Sequence, residues 1–250
     1  MAKFTYEFLK SLPKAELHCH LDGSIRVETI LELAIKNNVE LPKTNHDELQ
    51  SYLEVGDDCE DLLDYLKAFS VTNSVLQTTD ALARAAFELS EDAAEENIRV
   101  LEIRFSPLLH TEKGLTLSEI VEAVIDGKSK AEEQYNIRVG LILCGIRSMS
   151  PELSMDLAEV AINYKNKGVV AYDLAGPEEN HPAKDHKEAF FKIINNNINT
   201  TVHAGEAYGP ESIHQAIHYT RANRIGHGTR LREDPELLHF VNDHRIPLEM

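Results

Sequence analysis

Cysteine is scarce in this chain: Cys19, Cys59 and Cys144 are the three among 250 residues, odd in number and widely scattered. No Cys-x-x-Cys pair occurs, which argues against a disulfide framework and against a thiolate zinc site. Basic residues are few as well, 25 Lys and Arg against 42 Asp and Glu, giving a formal charge of -17. A chain this acidic repels phosphate polymers, so no nucleic acid is expected as a partner, while small neutral or cationic ligands stay open. Long apolar runs are missing too. The longest, at 139–146, is far too short for a bilayer, so no membrane partner is expected. The opening Met-Ala-Lys-Phe-Thr-Tyr-Glu lacks the apolar core of a signal peptide, and the expected location is cytoplasmic.

What is present is ordinary for a globular protein: 42% hydrophobic and 27% charged residues. No linker, repeat or low-complexity segment interrupts it, so residues 1–250 are expected to form one domain. Short apolar runs alternate with stretches of helical period, the α/β pattern of βα units around a parallel sheet. Strands are expected at Lys14–His20, 100–106, Arg138–Ile146, Val169–Ala175, 200–203, Arg224–His227 and 246–250. Helices are expected at 116–135, 151–166, 184–196, 210–220 and 235–244. Helix-start signals support three of them: Thr116 three residues before Glu119, Ser150 before Pro151, and Asp234 before Pro235.

About seventy residues separate the first two strands, far more than an ordinary connection. They are mostly of helical pattern and carry an apolar stripe, Leu62, Leu63, Leu66 and Phe69. The plain reading is helix packing. The functional reading is a lid that dries a site, with Phe69 nearest the ligand.

Polar groups gather at strand ends. In Glu16-Leu17-His18-Cys19-His20-Leu21-Asp22-Gly23, a strand turns His18 and His20 to the same face, because side chains alternate with period two. Such a pair either chelates a metal or is hydrogen-bonded in place. Thr201-Val202-His203-Ala204-Gly205-Glu206 sets another histidine and a carboxylate at a strand end, and Arg224-Ile225-Gly226-His227-Gly228 repeats the theme. In a parallel barrel the C-terminal strand ends form one mouth. His18, His20 and His203 then make a three-nitrogen set suited to a catalytic zinc with an open position, and Glu206 stands close enough to move protons. His46, His110, His181, His186, His214, His218, His239 and His244 have no partners at ligand spacing, and surface or capping roles are expected for them. The acidic residues from Asp57 to Asp61, and Glu91, Asp92, Glu95 and Glu96, read as solvated faces. Arg104, on the second strand, needs a carboxylate if it points inward, so a structural ion pair is expected.

Together these motifs resemble the adenosine deaminase family, metal-dependent (β/α)8 TIM-type barrels of the amidohydrolase group. The similar segments are Pro13 through Gly23, Asp173-Leu174-Ala175-Gly176, His203-Ala204-Gly205-Glu206 and Ile225-Gly226-His227-Gly228, in the family's order. The resemblance implies one zinc per chain on His18, His20 and His203, with Glu206 handling the proton at purine N1 and His227 orienting the attacking hydroxide. It implies that Gly176 offers its N–H to purine N3, that Asp22 binds a ribose hydroxyl, and that His20 and Phe69 line the substrate site. The expected reaction is zinc-dependent deamination of adenosine, and of 2′-deoxyadenosine, to inosine and ammonia. Asp22 would repel a 5′-phosphate, which favours a nucleoside over a nucleotide, and the related deaminases of free adenine carry Glu at its position. The alternatives are a deaminase of adenine, another amidohydrolase, or a non-catalytic binding protein of the same fold. By the same resemblance the long connection is a helical insertion after strand 1. The family's two aspartates after an eighth strand have no counterpart before Met250, so the chain is expected to end in strand 7.

Overall fold

The computed structural model describes residues 4–54 and 62–250, and of residues 62–67 the backbone alone. The stretch from Asp57 to Asp61 and the side chains of Leu62, Leu63 and Leu66 therefore lie outside the described residues. Seven strands follow one another in chain order in one sheet, each later strand reached through helix: a TIM-type α/β barrel pattern. They are β1 (Lys14–His20), β2 (Ile98–Phe105), β3 (Arg138–Ile146), β4 (Val169–Ala175), β5 (Asn199–Ala204), β6 (Arg224–His227) and β7 (Leu248–Glu249). The helices are α1 (Tyr6–Ser11), α2 (Val27–Asn37), α3 (His46–Leu53), α4 (Leu62–Val75), α5 (Thr79–Glu95), α6 (Leu117–Gln134), α7 (Pro151–Asn163), α8 (Lys187–Asn195), α9 (Pro210–His218) and α10 (Pro235–Asp243). Among the described residues no helix is long and apolar enough to cross a membrane.

By compactness the chain divides into two units, one holding β1 with α1–α3, α5 and α6, the other holding β4–β7 with α7–α10. The expected insertion is the run α2–α5 between β1 and β2. Helix α5 turns Ala81, Leu82, Ala85, Ala86 and Leu89 inward, a spacing of three and four that keeps one face apolar. Its packing against α6 is so close that a Cβ on Gly127 would stand 2.0 Å from the Ala83 carbonyl oxygen. Helix α6 starts as its sequence signal requires, with a full capping box between Thr116 and Glu119. Here the acidic cluster departs from expectation. Glu91 and Asp92 do not merely face water; they receive the Arg26 guanidinium at 2.7 and 2.5 Å, joining the start of α2 to the end of α5.

In the second unit β4, β5, β6 and β7 pair in parallel, with Val202 opposite Ile225 and Ile225 opposite Leu248. β4 and β5 are buried at all but one position each, as strands covered on both faces should be. Asp234 caps α10 by accepting from the N–H groups of Glu236 and Leu237. Ser150 makes no such side-chain bond at the start of α7, where Pro151 has no N–H to satisfy. The expected helix 184–196 divides, a 3-10 turn at Ala183–His186 running into α8.

Candidate active site

At the end of β1, His18 and His20 lie with ring centroids 5.4 Å apart, both partly exposed, as strand alternation requires. Phe69, on α4, meets the His20 ring edge-on at 6.1 Å, and two of its ring carbons would stand 3.3 Å from a Cβ on Gly23. A glycine at 23 thus leaves the room that Phe69 fills. Asp22, between them in sequence, is buried, and its Oδ1 has no hydrogen-bond partner among the described residues. Burial pushes its carboxyl up to about 6, against a smaller lowering by its own backbone N–H.

At the end of β5, His203 is buried and its Nδ1 meets Asp173 of β4, 3.0 Å from Oδ2 and 3.2 Å from Oδ1. That contact assigns the proton to Nδ1 and leaves Nε2 with the lone pair, as where a carboxylate stands behind a metal-binding histidine. Gly205 follows at φ +67, where a Cβ would come within 2.5 Å of Ile213, so the chain can turn there only without a side chain. The turn presents Glu206, whose Oε2 lies 3.6 Å from His227 Nε2. Burial pushes the Glu206 carboxyl up to about 7; the negative charge of Glu178 adds to the rise and Arg147 opposes it. An acid so poised holds a proton near neutral pH and can give it away. His227 ends β6 in the left-handed region at φ +67, uncommon for a residue with a side chain, and its ring lies 5.2 Å from that of His203. Gly176 closes β4 at φ +98.

Sequence reasoning singled out Arg104 correctly. It is fully buried and donates to Asp173 at 3.0 Å and to Glu249 at 2.5 Å, while Glu249 also takes Arg224 at 2.6 Å. It missed Arg147, which is buried beyond β3 and donates to the backbone carbonyls of His203 and His181. It also missed Glu178, a buried carboxylate two residues beyond Gly176. Two of the histidines expected in surface or capping roles are instead buried. His110 is fully enclosed and held neutral, its imidazole pushed down to about 4 by burial. His186 lies between the Ser154 hydroxyl and the Arg147 carbonyl, at 2.8 and 3.2 Å. Both sit in loop or 3-10 segments whose sequence carries no sign of burial.

Comparison with known proteins agrees with this geometry. The family model described as adenosine deaminase matches residues 13–250. A "probable adenosine deaminase" of Dictyostelium discoideum is 48% identical over 99% of this chain, and this chain spans 32% of that protein's length. An adenosine deaminase of Clostridium botulinum (strain 657 / Type Ba4) is 44% identical over 96% of the chain, which spans 73% of its length. Among solved structures, an adenine deaminase from Arthrobacter aurescens superposes with TM-score 0.86 at 27% identity, covering 94% of this chain and 71% of that one. An Arabidopsis N6-mAMP deaminase does so with TM-score 0.84 at 29% identity, covering 97% and 72%.

Proposed function

The chain belongs to the adenosine deaminase family, and we propose that it hydrolyses adenosine, and 2′-deoxyadenosine, to inosine and ammonia. In this reading both compact units belong to one barrel domain. The observation that carries it is the Glu206–His227 pair: a carboxyl pushed up to about 7, 3.6 Å from an imidazole. Both stand at the ends of strands whose neighbours supply His203 and Gly176.

The metal such a reaction needs fits the residues present. His18 and His20, with ring centroids 5.4 Å apart on β1, and His203 at the end of β5 are the proposed ligands. Three neutral imidazoles suit one zinc ion. When bound, zinc supplies a water acidic enough to attack at neutral pH.

The chain's own side chains do the rest. As the attacking oxygen bonds to C6, electrons move onto the ring, and Glu206 gives its proton to N1. His227 holds the attacking water by a hydrogen bond, and the Gly176 N–H donates to N3. Asp22 accepts from the ribose 5′-hydroxyl, a partner that its buried Oδ1 otherwise lacks among the described residues. Phe69, against His20, helps exclude water. The proton lost by the water on attack restores Glu206, and the proton of the new C6 hydroxyl passes to the amino group, which leaves as ammonia. A nucleoside is favoured over the nucleotide of the Arabidopsis relative because a 5′-phosphate would meet the Asp22 carboxylate.

The test is the natural full-length chain, metal-analysed and assayed by the ultraviolet change from adenosine to inosine. About one zinc per chain and turnover within the usual enzymatic range of about 1–1000 per second are expected. Zinc-loaded protein that leaves adenosine untouched would sink the reading. Faster turnover of adenine or N6-methyl-AMP would move the substrate to those purines.

A further inference from the structure

Glu178 lies two residues beyond Gly176, in the connection from β4 to α8, and is buried. Its carboxylate is fully engaged with a different connection, the one from β5 to α9 that carries Glu206. Oε2 accepts from the N–H groups of Ala207 at 3.0 Å and Tyr208 at 2.7 Å. Oε1 accepts from the Ser212 hydroxyl at 2.9 Å, in the first turn of α9. Bonds from N–H groups to an ionised acceptor are about twice as strong as neutral ones, and a helix N-terminus favours the negative charge. From the β6 side the same segment is held by Thr229, whose hydroxyl donates to the Gly205 carbonyl at 2.7 Å, and by the Arg230 N–H, which reaches that oxygen at 3.0 Å.

The segment needs such anchors. It is bracketed by Gly205 at φ +67 and Gly209 at φ +121, residues that restrain the backbone least. Ala207 and Tyr208 are exposed, so without an acceptor their N–H groups would turn to water. Glu206 immediately precedes those two N–H groups. Its carboxyl is aimed by the peptide planes that Glu178 fixes.

We propose that Glu178 is the positioning residue of the proton donor: by clamping the Ala207 and Tyr208 amides it sets the direction in which Glu206 projects. It touches neither substrate nor metal, and it ties the segment presenting Glu206 to the loop presenting Gly176. This rests on the deaminase reading above.

The experiment uses the natural full-length, zinc-loaded enzyme with adenosine. Glu178→Ala should lower kcat about 10- to 100-fold, the usual penalty for a group displaced by an ångström or less. KM should stay within about threefold of wild type, zinc at one per chain, and hydrogen exchange of the Ala207 and Tyr208 amides should speed up. Glu178→Gln keeps an acceptor for both amides and should recover most of the loss. An alanine variant with wild-type kcat, or equal losses in the two variants, overturns the proposal. If the alanine variant does not fold, Glu178→Asp withdraws the carboxylate by one methylene and should show the same kcat loss at constant zinc; wild-type kcat there overturns it equally. A wild-type enzyme inactive on every purine sinks the deaminase reading instead, and the amide exchange then judges the clamp by itself: unchanged rates overturn it.

Discussion

In the unit that carries β4 to β7, Arg104, Asp173 and Glu249 form a ladder of buried charge, while in the unit that carries β1 two buried groups, Asp22 and His110, are governed by loss of water. On the first side Arg104 lies between Asp173 and Glu249, Glu249 also holds Arg224, and Asp173 backs His203. On the other side Asp22 is pushed up to about 6 and His110 down to about 4, each with burial as the largest cause. The two arrangements fail differently. A paired buried charge, stripped of its partner, leaves an ion in low dielectric. A group shifted by burial is neutral over part of the pH range and waits for a ligand or a proton to change it. Glu206 is a group of the second kind inside the unit that holds the ladder, and it is the one proposed to give a proton.

The largest effect is expected where pairing supports the metal. His203→Ala should lose most of its zinc and all measurable deamination, because it removes a proposed ligand whose ring Asp173 holds in place. Normal zinc content in that variant would remove His203 from the ligand set. Glu206→Gln deletes the transferable proton and keeps the shape. Turnover should fall by at least about 100-fold with zinc retained; loss of zinc there would make Glu206 a ligand. Arg104→Ala strands Asp173 and Glu249 together in the interior. It should destabilise the fold by about 3–5 kcal/mol in denaturant titration, and a cost near zero would mean that the ladder is hydrated.

Much of the fold was legible. β1, β3, β4 and β6 run as read; β3 and β4 are buried strands that write themselves as near-continuous apolar runs between turn residues. β7 is shorter than read, two residues against 246–250, since Pro247 has no N–H for a ladder and the Ile246 N–H turns back to Val241. The helix at 184–196 splits because the His186 side chain is drawn inward to Ser154 and Arg147, a contact no local periodicity encodes. The same holds of the site. Its histidines stand in short motifs at strand ends, which strand alternation makes readable. Glu178, Arg147 and Glu249 act on residues 25 to 145 positions away, and nothing in their own neighbourhoods says which partner the fold will bring.

The next effect belongs to the unit shaped by burial. His110 keeps its folded pKa near 4 while an unfolded histidine titrates near 6.5. Below about 6.5 the unfolded chain gains a proton that the folded one refuses, so stability falls as pH drops from about 6.5 to 4. Between pH 7 and 5 this single group should cost about 2 kcal/mol. His110→Gln should remove that share of the slope. An unchanged slope would place the acid sensitivity elsewhere.

The smallest expected effect is the sharpest test of the contrast, because it asks whether a lone buried group is waiting for a ligand. Asp22 has an oxygen with no partner among the described residues and a carboxyl pushed up to about 6, so at neutral pH it is largely ionised yet under-solvated. A hydroxyl donor arriving with the substrate would satisfy that oxygen, and a hydrogen bond to a charged group contributes about 1.5–3 kcal/mol. Asp22→Ala should therefore lower kcat/KM for adenosine by roughly ten- to a hundredfold. For 5′-deoxyadenosine, which has no hydroxyl to offer, the same substitution should cost much less, and the difference between the two losses is the coupling. Lower pH should weaken wild-type handling of adenosine selectively, since a protonated Asp22 is a poorer acceptor. Equal losses on both substrates would show that Asp22 supports the β1 loop and its histidines. The contrast between the units would then be one of stability alone.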